Sequence, residues 1–227
     1  MTIILSFFSE HTTAEIFYAS RNGKWDDKAA TTTPWSTVPC SSFIAAVNPP
    51  DVGDDVIICP GVGIQVNDLS PSIRSVTFND GGEIRLGGTA ATLNISNYMN
   101  VVRGSARLEL YASPSEVVIN GLLAIQADAT LTQSGNANLK IAGNVSNNGT
   151  YSAENATLYF NGSGDQAIYG TGTTTAFNVI IDKPGGSLIL GTAGAPNHNL
   201  IVTNTLTLTK GLIQTNNTSS TTNYVLM

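Results

Sequence analysis

The residues able to do chemistry in this chain are few and scattered. Cleavage of a glycosidic bond needs two carboxyls, one as acid and one as base or nucleophile. Asp165 and Asp182 are the pair to test, because a chain coiled with three sides can bring two distant turns onto one face. The other late acids, Asp128 and Glu154, stand without acidic neighbours. Asp165 and Asp182 are therefore expected to be structural, with no catalytic residue assigned. Asp51, Asp54 and Asp55 form an oxygen-rich group between Gly and Pro turns, the ligand type that calcium prefers. The competing reading is that such Asp side chains cap turn amides; no other cofactor is implied. Trp25 and Trp35 offer faces for stacking on sugar rings, or large apolar bodies to plug the end of a core. Cys40 and Cys59 flank Asn48-Pro49-Pro50 and either join in one disulfide or remain two buried thiols. The only histidines, His11 and His198, are isolated, so neither a Ser-His-Asp arrangement nor a zinc site is credible. The Gly-rich stretches open no helix and are turn chemistry rather than phosphate cradles.

Composition narrows the classes further. The chain has 227 residues, of which 11% are charged, with 22 Gly and a polar surface built from Asn, Thr and Ser. Thr, Val and Ile suit a pleated surface, while Asn and Gly suit the turns between strands. The net charge of −6 with only ten Lys and Arg argues against nucleic acid, whose phosphates demand a basic stripe. No apolar run reaches the ~20 residues needed for a transmembrane helix. The stretch Ile3 to Phe8 is apolar but lacks the positive start of a secretory signal.

From Val56 onward, short apolar runs alternate with Gly, Asn, Asp and Pro. Val56-Ile57-Ile58, Ile64-Gln65-Val66, Ile84-Arg85-Leu86, Leu122 to Ile125, Leu139-Lys140-Ile141 and Leu158-Tyr159-Phe160 are typical. Each is too short for a helix and alternates with period two, so each reads as a strand facing one core. Asn120-Gly121, Asn148-Gly149 and Asn161-Gly162 would by themselves suggest hairpins. Repetition points elsewhere. Ala-Thr-Leu stands at Ala129 and again at Ala156, and the interval between them nearly matches that from Asn120-Gly121 to Asn148-Gly149. A shared interval of this size is close to one turn of a three-sided coil. A right-handed parallel β-helix (β-solenoid) with an irregular N-terminal cap is therefore expected, with a β-sandwich as the alternative. The expected parts are an extension or weak signal-like segment over 1–15, a cap over 16–55, and coils over 56–227. The strand-like Tyr224 to Met227 carries no polar cap, so further domains are expected to follow. Thr171 to Thr175 and Thr205 to Thr209 would form a hydroxyl array of the ice-binding sort only if the motif recurred in register on each coil.

Phe17 to Asp27, Trp35, Gly53-Asp54-Asp55-Val56-Ile57-Ile58, Gly61 to Val66, Ile73 to Phe78 and Gly81 to Leu86 together resemble the G8 type of extracellular β-domain. Phe160 to Ile168 and Phe177 to Lys183 resemble adhesin-like repeats of Bacteroidetes-type surface proteins. The resemblance implies a secreted or cell-surface location, with export often by a type IX route, and partners among surface glycans or other cell-surface proteins. The expected role is a non-catalytic structural or adhesive segment of a larger bacterial protein. The alternative is a carbohydrate-binding or polysaccharide-cleaving β-helix, which requires a lateral groove with converging acids, arginines or aromatic rings.

Overall fold

A computed structural model describes residues 14–111, 114–191, 198–215 and 225–226. The readings on Ile3 to Phe8 and His11 lie outside these residues, as do those on Tyr224 and Met227. The described chain is all-β, without helix, and forms a parallel β-solenoid of about seven turns. No helix among the described residues is long and apolar enough to cross a membrane.

Three faces make up each coil, and a residue on one coil pairs in parallel with its equivalent on the next. On the first face Ile58, Phe78, Val101 and Ile125 stack in one core column. On the third face Ile73, Ile95, Ile119, Ile141, Phe160 and Ile181 do the same. The second face stacks Ile64, Ile84 and Leu108. All are buried, whereas most of their strand neighbours are more exposed, as period-two alternation leads one to expect. One coil has nothing to pack its apolar side chains against, so stacking is what creates the core. Burial removes water from these side chains at about 1.5–3 kcal/mol each.

Coil length is not constant. Along the first-face column the interval grows from Ile58–Phe78 to Phe78–Val101 and again to Val101–Ile125, and even the longest falls short of the interval from Ala129 to Ala156. Those two landmarks are not equivalent. Ala129-Thr130-Leu131 lies on the second face, paired with 150–151, while Ala156 leads into the third. The equivalent copies are Ala91-Thr92-Leu93 and Ala156-Thr157-Leu158, three coils apart through Glu116 and Asn138. The Asn-Gly pairs are corners between faces rather than hairpins.

The coils also start earlier than residue 56. Ile16–Ala19 pairs in parallel with Asp55–Ile58, and Gly23–Lys24 with Ile64 and Gln65. Only 25–54 is irregular. From that excursion Trp35–Ser36 runs antiparallel along Ile16–Ala19 and covers its open edge, which would otherwise offer unpaired backbone to another chain. Trp25 and Trp35 are 3% and 0% exposed and meet edge-to-face at 4.8 Å, with Trp35 Nε1 donating to Trp25 O at 2.8 Å. Burial removes both rings from any sugar, so they plug the core. Cys40 and Cys59 are joined by a disulfide across a sequence separation of 19, tying the excursion to the first face. A loop of that length contributes about 3 kcal/mol in the chain-entropy picture.

Polar residues replace the apolar column in the later coils, each with its partners. Asn147 takes the place that Ile125 holds one coil earlier. Its Nδ2 donates to Thr173 O and Thr174 Oγ1, and its Oδ1 accepts from Gly149 N. Thr174 Oγ1 lies 2.7 Å from His198 Nε2, and His198 Nδ1 lies 3.2 Å from Gly170 O. Since a carbonyl only accepts, Nδ1 carries the proton and Nε2 accepts from Thr174. His198 is 1% exposed, and burial lowers its pKa below the usual histidine value against the opposing bond to Gly170. The unfolded chain then binds a proton that the folded chain refuses, so stability is full above about pH 6.5 and falls as the pH drops from there toward the lowered folded value. Urea midpoints compared between about pH 8 and about pH 5 should fall more steeply for the wild type than for His198→Gln. Equal slopes in the two proteins would refute the assignment.

Candidate functional site

The second face carries an open groove near its N-terminal end, about 490 Å³ in volume. Lys24, Gln65, Glu83, Arg85 and Arg107 line it together with Gly61, Gly63 and Gly82, and Gln65 and Arg85 are direct partners on adjacent strands. Gly82 is fixed by geometry: its φ is +107° and a Cβ there would press on Ile58 Cγ2, so no side chain can occupy that position.

Parallel register builds a charge square of which Glu83, Arg85 and Arg107 line the groove. Glu83 pairs with Arg107 and Arg85 with Glu109 across neighbouring strands. The order Glu-x-Arg on one strand and Arg-x-Glu on the next gives a square in which every neighbour has the opposite sign. Arg85 Nη2 lies 2.6 Å from Glu83 Oε2 and Arg85 Nε 3.1 Å from Glu109 Oε2. Arg107 Nη2 lies 2.8 Å from Glu109 Oε1 and Arg107 Nε 3.7 Å from Glu83 Oε1. Arg107 also donates to Ser134 Oγ at 3.3 Å. Burial works to raise the Glu109 carboxyl, but its neighbours, the Arg107 and Arg85 charges among them, outweigh it and hold the group below the usual carboxylate range. Glu109 is thus held as an acceptor, and the arginines keep outward N–H groups for a ligand. Tyr111, 61% exposed, stands near Glu109, and that carboxylate raises the pKa of its phenol. Its ring is an exposed aromatic surface beside the square.

None of the sequence-predicted acids belongs to this groove. Asp54 Oδ1 accepts from Glu15 N and Oδ2 from Asp51 N, both at 3.0 Å, so Asp54 caps backbone amides. Asp55 faces elsewhere, with the Arg74 guanidinium and Ser75 Oγ on its carboxylate, and Arg74 holds its pKa low. The three acids of the expected calcium set therefore do not converge, and no group of three or more such ligands forms among the described residues. Asp165 accepts from Ser187 N at 2.8 Å and Asp182 accepts from Tyr159 Oη at 2.7 Å. Each stands in its own pairing. The four residues of the charge square escaped the sequence reading, although Glu83-x-Arg85 and its mirror image Arg107-x-Glu109, one coil later, were their signature.

In comparisons with known proteins, the chain matches no family model, no curated protein and no solved structure. What the geometry defines is a parallel β-solenoid with a charged lateral groove.

Proposed function

We propose that this chain is a non-catalytic adhesive segment of a secreted or cell-surface protein that grips glycans in the second-face groove. The observation that carries this reading is the Glu83–Arg85–Glu109–Arg107 square beside the exposed ring of Tyr111. Bidentate arginine donors and carboxylate acceptors fix hydroxyl-rich ligands by direction, an aromatic face takes the apolar side of a sugar ring, and the volume lies within the usual range for ligand sites. The same geometry speaks against cleavage: both carboxyls of the square are engaged by arginines, so neither is set apart as the proton donor that a glycosidase needs. The G8-like and adhesin-like sequence texture supports an extracellular setting.

The test is a glycan array followed by calorimetry and a reducing-sugar release assay. A glycan bound by the wild type should bind about tenfold more weakly, a change of about 1.4 kcal/mol, to Arg107→Ala and to Tyr111→Ala, with no sugar released. An array without any hit would make the chain a spacer. Sugar release that Glu83→Gln abolishes would make it an enzyme.

A further inference from the structure

We infer that the second face, past the groove, presents an ice-binding plane. Ser105, Thr130, Thr150 and Thr173 pair directly from coil to coil, and two residues further along Arg107, Thr132, Ser152 and Thr175 form a second column. Leu131, Tyr151 and Thr174 between them are buried, so the six hydroxyls of Thr130, Thr132, Thr150, Ser152, Thr173 and Thr175 point outward. Three successive coils therefore show Thr-x-Thr, Thr-x-Ser and Thr-x-Thr in register, without a shift. Among the described residues, none of these hydroxyls bonds to another protein group.

The regularity is confined to this face. Equivalent outward positions on the third face read Thr92, Glu116, Asn138 and Thr157. On the first they read Ile57, Thr77, Asn100 and Ala124. A Thr-rich composition does not by itself produce two clean columns.

Geometry selects the ligand. Paired strands stand roughly 4.8 Å apart and positions two along a strand roughly 6.6 Å, which lies close to the oxygen repeats of a prism plane of hexagonal ice. Thr side chains hold few rotamers on a strand, so the hydroxyls are ordered before contact. Each hydroxyl alone gains little by exchanging one water for another. Only a ligand with the same two-dimensional repeat engages all six together, and a soluble sugar lacks that repeat. The six positions carry no charge; the array is bounded by Arg107 on one side, by Ile201, the partner of Thr175, on the other, and by Glu154 two residues past Ser152 along its strand.

The experiment measures partition of the full chain into a growing ice shell and thermal hysteresis by nanolitre osmometry. The wild type should enter the ice and facet the crystals. Thr150→Tyr, at the exposed centre of the array, should lose both effects while the circular dichroism melt and any glycan binding stay unchanged. Exclusion of the wild type from ice would overturn the assignment, as would equal partition of Thr150→Tyr. Capture of the wild type by powdered cellulose or chitin but not by ice would also overturn it, and would give the plane to a crystalline glycan.

Discussion

Trp35→Ala should lower stability by roughly 3–5 kcal/mol, the range for truncating a fully buried aromatic ring. The loss has three sources. The ring is 0% exposed and leaves a cavity at the end of the core; Trp25 loses its edge-to-face partner; and Trp25 O loses the indole donor. Because coils interact only with neighbours, the damage should concentrate in 16–58. Hydrogen exchange should show early opening of Ile16–Ala19 and Asp55–Ile58, while the third-face column around Ile141 keeps its protection. Trp35→Phe keeps a ring in the site but removes the donor and part of the indole's volume, so it should cost less than Trp35→Ala while leaving Trp25 O without this partner. Uniform loss of protection along all the coils would contradict nearest-neighbour stacking.

The second large effect belongs to Lys183. Its side chain is 1% exposed and turns inward at a corner, where Nζ donates to Gly162 O at 2.9 Å, Gly164 O at 2.8 Å and Gln166 Oε1 at 2.6 Å. Three ammonium protons meet three acceptors, so the group is satisfied and closes the corner of the coil below. Gly211 lies over it from the coil above, with φ +93° and room for no Cβ without crowding Lys183 Cβ. Lys183→Met keeps the length but strips the donors, leaving the Gly162 and Gly164 carbonyls without this partner, while Gln166 Oε1 keeps only the bond from Gly162 N. A loss of about 3 kcal/mol follows, read from urea denaturation. Burial also lowers the Lys183 pKa, against the opposing Asp165 charge. The folded state therefore releases this proton before the unfolded state does. Stability from this group rises as pH climbs toward the ordinary lysine value of about 10.4, and the Met variant should lack that rise. A midpoint for Lys183→Met within error of the wild type would show the corner to be held by something else.

The strands were largely legible because alternation is a local signal. Leu122 to Ile125, Leu139 to Ile141 and Leu158 to Phe160 fall in the strands Leu122–Ile125, Asn138–Ile141 and Thr157–Phe160. The coil period was not legible, since corners of different length separate equivalent residues. The stretch of chain from Thr130 to its partner Thr150 is shorter than that from Thr150 to its partner Thr173, so no fixed window aligns them. For the same reason the hydroxyl columns looked absent in one dimension. The groove was hidden in a related way: Glu83 and Arg107 sit at outward positions of separate strands, and nothing short of the register says that they touch. Asp51, Asp54 and Asp55 misled for the opposite reason. Neighbours in sequence on a strand point to opposite sides, so Asp54 turned to the backbone and Asp55 to Arg74. The tryptophans were ambiguous because stacking on a sugar and plugging a core demand the same ring, and only burial separates the two.

The 25–54 excursion leaves its flanks in step: Lys24 still meets Gln65, and Ile16 to Ala19 still meet Asp55 to Ile58. A segment longer than a whole coil enters at a corner without displacing a single rung of the ladder, because loop closure grows only slowly more costly with length. The corners are therefore ports. A peptide epitope, a fluorescent reporter or an enzyme could be spliced into one of them, and the ladder would hold its cargo at a fixed height along a rigid mast.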